Sequence, residues 1–220
     1  MNLSIKKTKD GSLTFYSQQF GETYHSIAGA LSESLHIYIN NGLKNFSVKK
    51  LTIFEMGFGT GLNALLTYIY ALENKLKINY IAIEKSPIPY EVIIQNFLAE
   101  QLINYNDIFL KLHKAQPDIY TEISKNFRLK KVYADIRDYE FTEKIDLCYY
   151  DAFSYNAQPY LWTTAIFKKI YQNMNIGGML LTYSSKGEVK RALKQAGFTI
   201  KRFKGFGNKW HNLKAFKSNE

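Results

Sequence analysis

Apolar residues along this chain gather in short unbroken runs rather than in alternating patterns or long spans. Residues 51–56, 78–83, 145–150 and 179–183 read as strands buried on both faces, the habit of parallel sheets. A further strand is predicted at 131–134. Between them, helical spacing covers 62–73, about 88–99, 104–114, the stretch after Trp162 to about 174, and 187–196. Gly177-Gly178 and Gly197 punctuate the last of these, and 198–203 with 212–216 form a closing strand pair. Ahead of the sheet, Asp10-Gly11 signals a turn and Ser12 to Tyr16 a short strand. Ser26 is placed to cap a helix running to about Asn40, with Ile27, Leu31, Leu35, Tyr38 and Ile39 on its apolar side and Gly42 past its end. Strands alternating with helices predict a doubly wound, mostly parallel α/β sheet with an antiparallel C-terminal edge strand. Residues 1–45 are expected to form a small extension packed on a Rossmann-like domain of residues 46–220.

The turn after the first parallel strand is unusual. Residues 54–63 read FEMGFGTGLN, with Gly57, Gly59 and Gly61 at every second position and Glu55 just before them. Glycine there permits positive φ and close approach of a ligand to the backbone. The helix that follows presents free N–H groups and a positive dipole end. A dinucleotide fingerprint has the spacing G-x-G-x-x-G. The pattern E-x-G-x-G-x-G instead resembles the first motif of class I S-adenosylmethionine-dependent methyltransferases. That resemblance implies cofactor contacts from Glu55, Gly57, Gly59, Thr60, Gly61 and Asn63.

Acids recur at or near the ends of the strands: Glu55, Glu84, Asp135 and Asp151. Ligands of such sheets bind beyond the strands' carboxyl ends. Glu84, 29 residues after Glu55, is placed to accept both hydroxyls of a ribose, and Asp135 to accept from an adenine amino group. Four carboxylates in one crevice suit a cationic sulfonium and a cationic amine.

Composition narrows the class. A chain of 220 residues, 46% hydrophobic, supports one sizeable α/β domain. No apolar run reaches membrane-spanning length, and the N-terminus has no secretory h-region. The lone cysteine, Cys148, sits in an apolar run and suits a reducing, cytoplasmic setting. Histidines 25, 36, 113 and 211 show no metal-ligand spacing, so no metal is expected. Net charge is +10, and residues 181–220 carry ten Lys/Arg against two acids. This basic end, interleaved with Phe203, Phe206, Trp210 and Phe216, suits a polyanion.

Residues 151–163, DAFSYNAQPYLWT, make the resemblance specific. They are similar to the D-[AG]-F-[SA]-P-x-x-N-P-x-[LM]-W-T signature of the MnmC-like tRNA methyltransferases. DGSLTFYSQQFGETYHS with SESLHIY resembles that family's N-terminal segment, GFGTGLN its glycine loop, and residues 177–209 its C-terminal third. Tyr155, Ala157 and Gln158 depart from the signature, as do Asn208 to His211 from the usual basic tail. The resemblance implies methylation of the amine of 5-aminomethyl-(2-thio)uridine at the tRNA wobble position, with S-adenosyl-L-methionine as cofactor and the anticodon stem-loop as partner. In the bifunctional form an oxidase domain follows; with the chain ending at Glu220, a methyltransferase working alone is the expectation.

Roles follow from that resemblance. Asp151 is expected to hold the amine and take its proton, and Tyr24 to wall the pocket or bond the substrate. Glu33 is expected to face the cofactor from the N-terminal helix. Phe153 and Trp162 are expected to pack the loop after Asp151, and Pro159 to shape it. Lys186, Lys190, Arg191, Lys194, Lys201, Arg202, Lys204 and Lys209 are candidates for phosphate contact. Two other readings stay open: another class I amine methyltransferase or aminopropyltransferase-like enzyme, and a non-catalytic RNA-binding domain with this fold.

Overall fold

The computed structural model describes residues 2–94 and 98–218. Its centre is an eight-stranded sheet. Strands β4 (Lys50–Met56), β5 (Lys77–Ile83), β7 (Phe127–Val132), β8 (Ile145–Tyr150) and β9 (Met174–Thr182) run parallel. They are flanked on one side by antiparallel β6 (Tyr120–Ser124) and on the other by the hairpin β10 (Thr199–Lys204) and β11 (His211–Phe216). The spatial order is β10-β11-β9-β8-β4-β5-β7-β6. The order reverses at β4, between β8 and β5, so the crevice outside its carboxyl end is the expected ligand position.

Strands β4, β5 and β8 are buried on both faces, which is why their sequences do not alternate. One face carries Leu51, Ile53, Tyr80 and Tyr149 against helix α2 (Leu62–Glu73) and helix α4 (Asn106–Lys114). The other carries Phe54, Ile81, Cys148 and Tyr150 against α5 (Thr164–Asn173) and α6 (Gly187–Gln195). A separate three-stranded antiparallel sheet, β1 (Leu3–Lys7), β2 (Leu13–Ser17) and β3 (Glu22–Thr23), precedes α1 (Ala30–Ser34). Helix α1 continues into a π-helical turn, Leu35–Asn40.

The differences from the expected elements have physical reasons. Helix α1 begins after Gly29, and the Ser26 side chain does not cap it. Instead the Ser26 N–H donates to Glu33 Oε2 at 3.0 Å. The third parallel strand lies at Phe127–Val132, earlier than expected, because its alternating cations conceal a strand whose Lys131 is itself buried. The helix expected over 88–99 is short: α3 spans Tyr90–Ile93 and a 3-10 turn spans Glu100–Tyr105. Residues 95–97 of that expectation lie outside the described residues. Strand β9 starts five residues before the expected 179, taking in Gly177-Gly178 with a register shift against β8.

Candidate functional site

The glycine loop leaves β4 with positive φ at all three glycines, +90° at Gly57, +49° at Gly59 and +73° at Gly61. At Gly57 a methyl group would stand 3.0 Å from the Asp151 carbonyl oxygen, and at Gly59 3.1 Å from Tyr24 Cδ1. Glycine is needed at these two positions for room as well as for conformation. Behind the loop, Thr60 is clamped from two sides. His25 Nε2 shares a 2.8 Å hydrogen bond with its hydroxyl, and His113 Nε2 donates to its carbonyl at 3.0 Å. Burial pulls the His113 imidazole down to about 4 and also lowers that of His25.

Two cavities meet beyond the strand ends. The first is lined by Gly57, Gly59, Glu84, Asp135, Asp151 and Phe153, among others. The second is lined by Glu22, His25, Glu33, Asp151, Tyr183 and Lys209, among others. Tyr24, Asp151, Ala152 and Phe153 belong to both. Tyr24 packs edge-on against Phe153 with ring centroids 4.8 Å apart, forming part of the partition.

Asp151 is the most constrained acid there. Tyr38 Oη donates to its Oδ1 at 2.8 Å and Asn63 Nδ2 to its Oδ2 at 2.8 Å. The same Asn63 amide donates to Glu55 Oε1 at 2.9 Å, so one side chain couples two carboxylates. Burial raises the Asp151 carboxyl above its ordinary range, against lowering by His25 and the Tyr38 bond. Burial also raises Glu55 well above its range, and the nearby Asp151 adds to it. Glu55 Oε2 is buried with no partner at hydrogen-bond geometry, although the Tyr80 hydroxyl faces it from the core.

Glu84 accepts from Gly59 N–H at 3.1 Å on Oε2 and from Ser86 N–H at 2.9 Å on Oε1. Each oxygen keeps a lone pair for a hydroxyl donor. Burial raises this carboxyl too. Three acids with raised pKa, Glu55 buried and Glu84 and Asp151 half-buried, form a site that a cation would relieve. These features fit S-adenosyl-L-methionine: a cradle without side chains, a free diol acceptor and an unbalanced carboxylate cluster.

Asp135 lines the first cavity but is already engaged. Arg137 N–H and Nε donate to Oδ1, both at 3.0 Å, while Arg137 Nη2 at 2.6 Å and Lys85 Nζ at 2.9 Å reach Oδ2. These donors, Arg137 foremost, hold its carboxyl well below the usual range. Glu33 lines the second cavity, where Lys209 Nζ meets its Oε1 at 3.0 Å. Lys209, expected on phosphate, is exposed but reaches Glu33 and lies 4.4 Å from the centre of the Tyr183 ring. Lys186, Arg191, Lys194, Lys201, Arg202 and Lys204 are exposed, and Lys190 is half-buried.

Trp162 is buried and its Nε1–H donates to Phe153 O at 2.9 Å, which packs the loop after Asp151. Three residues in the N-terminal stretches quoted above make site contacts that the sequence reading did not single out. Tyr38 reaches Asp151 across 113 residues of sequence. His25 holds Thr60. Glu22 accepts from Ser154 N–H at 3.1 Å and from the Ser154 hydroxyl, tying β3 to the loop after Asp151.

The family model described as S-adenosyl-L-methionine-dependent methyltransferase matches residues 96–218. Two bifunctional tRNA 5-methylaminomethyl-2-thiouridine biosynthesis proteins MnmC are similar. The protein from Idiomarina loihiensis is 29% identical over 212 residues, covering 88% of this chain and 35% of its own. That from Nitrosospira multiformis is 30% identical over 208 residues, covering 88% and 34%. The chain thus spans about a third of the length of these curated relatives. The crystal structure of MNMC2 from Aquifex aeolicus superposes with a TM-score of 0.81 at 28% identity, covering all of this chain and 71% of that one.

Proposed function

We propose a function for this chain from the fact that it belongs to the S-adenosyl-L-methionine-dependent methyltransferase family. It methylates the primary amine of 5-aminomethyl-(2-thio)uridine at the wobble position of tRNA, in the cytoplasm. The observation that carries this reading is Asp151, a half-buried carboxylate held by two donors on the wall shared by the two cavities. The names of the similar MnmC proteins and of the Aquifex structure support the RNA substrate.

The cofactor belongs to the first cavity. Glu84 is the residue for its ribose hydroxyls, and Gly57 and Gly59 give its amino-acid end room on the backbone. Glu55 balances positive charge there through Asn63. When bound, the cofactor supplies an electrophilic sulfonium methyl.

The substrate amine belongs to the second cavity, whose Glu22, Glu33 and Asp151 suit a cation. An aminomethyl group is largely protonated near neutrality, and its lone pair must be freed before it attacks. Asp151 takes that proton on a carboxylate oxygen. An ordinary aspartate is a poor acceptor at a pKa of about 3.9. Burial moves this one in the useful direction. Tyr38 and Asn63 fix its plane, so positioning supplies much of the rate. Tyr24 and Phe153 keep water from the shared wall.

Radiolabelled methyl transfer tests the reading. The wild-type protein labels tRNA that lacks the terminal methyl and ignores free polyamines, which the acid-lined second cavity would otherwise suit. Labelling of polyamines alone overturns the RNA substrate.

A further inference from the structure

Trp210 is 94% exposed, while Trp162, the other of the chain's two tryptophans, is 1% exposed. A large indole in water has no packing reason to be there. Nor is it loosely held. The turn joining β10 to β11 is closed by Gly205 N–H on Trp210 O at 3.2 Å and Lys209 N–H on Phe206 O at 3.2 Å. Phe203 and Phe206 pack near His36, with ring centroids at 5.8 and 6.1 Å. An anchored turn presents the indole.

Its surroundings are cationic. His211, the next residue, has its imidazole lowered by burial and by the nearby charges of Arg202 and Lys190. Lys204, at the end of β10, is exposed. On the other side, Lys209 sends its ammonium to Glu33 in the second cavity. The indole therefore stands one residue from a side chain inside the cavity assigned to the substrate amine.

We propose that Trp210 is a stacking platform for an unpaired RNA base that neighbours the target uridine. The inference rests on the tRNA reading above and deepens it. Every base has a π-face, so an exposed aromatic beside backbone-binding cations grips single strands without reading sequence. Wobble uridines lie in a loop, where bases are free to be splayed and stacked. A membrane surface is the less favoured occupant. Interfacial anchoring calls for several apolar side chains on one face. From residue 177 onward, Trp210 is the single exposed large hydrophobic among the described residues.

The two tryptophans give a direct readout. Titrating the full chain with an anticodon stem-loop oligonucleotide should quench Trp210 emission and shield it from iodide. Trp210→Phe should leave only the buried Trp162 signal, unresponsive to the RNA. Trp210→Ala should weaken RNA binding by about 5- to 150-fold, matching the ~1–3 kcal/mol of one base–aromatic stack, with Trp210→Phe in between. The loss should appear in KM for RNA, with circular dichroism and Tm as in the wild type. Wild-type RNA binding that Trp210→Ala leaves intact overturns this inference and spares the tRNA reading. Absence of both RNA binding and RNA methylation in the wild type overturns both. Quenching by anionic phospholipid vesicles but not by RNA assigns the surface to membranes and overturns the inference as well.

Discussion

At the scale of single residues, the account concentrates on Asp151 and the two groups that fix it. Asp151→Asn keeps the shape and one accepting oxygen, turns the other position into a donor, and loses the basic carboxylate. Turnover should fall by about 10²–10⁴-fold, the usual contribution of a positioned base, while cofactor affinity by calorimetry stays within a few-fold. Tyr38→Phe tests the environment. The Tyr38 bond lowers the Asp151 pKa, so removing it raises that pKa further. A base acts only when deprotonated, so the rising limb of the pH–rate profile should move to higher pH. An unmoved limb would sever Tyr38 from the chemistry. The place of Asp151 at a strand end, lining both cavities, was legible because an acid there is followed by a specific signature. Tyr38 was not. It sits in the apolar pattern of a helix, and its hydroxyl meets Asp151 only after the chain has folded. His25 and Glu22 were likewise hidden among the neighbours of Tyr24, since a hydrogen bond to Thr60 or Ser154 has no local signature.

At the scale of elements, the glycine loop is the part least able to absorb change. Ala at Gly57 would combine a positive φ of 90° with a methyl 3.0 Å from the Asp151 backbone. A left-handed conformation alone costs an L-residue about 1–2 kcal/mol. Gly57→Ala should lower Tm by several degrees and abolish cofactor binding; a variant that binds normally would show that the loop is not the cradle. The buried strands were readable because immersion on both faces demands continuous apolar sequence, as in IDLCYY of β8. The closing hairpin was readable too, but two other peripheral strands were not. Strand β6, YTEIS, and strand β1, LSIKK, are short and half-wet, and their pairing is dictated by neighbours rather than by composition. The surroundings of Glu33 were hidden for a related reason. A helical acid can be assigned to a helix from sequence, but the cavity it faces depends on how that helix docks.

For the whole molecule, charge is the organising quantity: acids inside, a basic surface outside. Glu55, Glu84 and Asp151 have folded-state pKa values raised by burial. Carboxyls of this kind favour the folded state when protonated, so their contribution declines as pH rises from about 4 through their folded pKa values. Asp10 and Asp135 are lowered and act oppositely, losing stability at lower pH. A sulfonium ligand favours the ionised acids. The Tm increment given by S-adenosyl-L-methionine should therefore grow from pH 5 to pH 8; an increment that shrinks would contradict the electrostatic account. On the outside, RNA affinity should fall steeply with salt, and each of Lys190→Ala, Arg202→Ala and Lys204→Ala should reduce the log–log slope by about one.

The most direct measurement is mass analysis of the wobble nucleosides of tRNA after incubation with this protein and S-adenosyl-L-methionine. Undermodified tRNA should yield a 5-aminomethyl nucleoside heavier by one methyl on its amine, and the Asp151→Asn protein should leave it unchanged. A methyl found elsewhere on the RNA, or equal conversion by both proteins, would contradict the account.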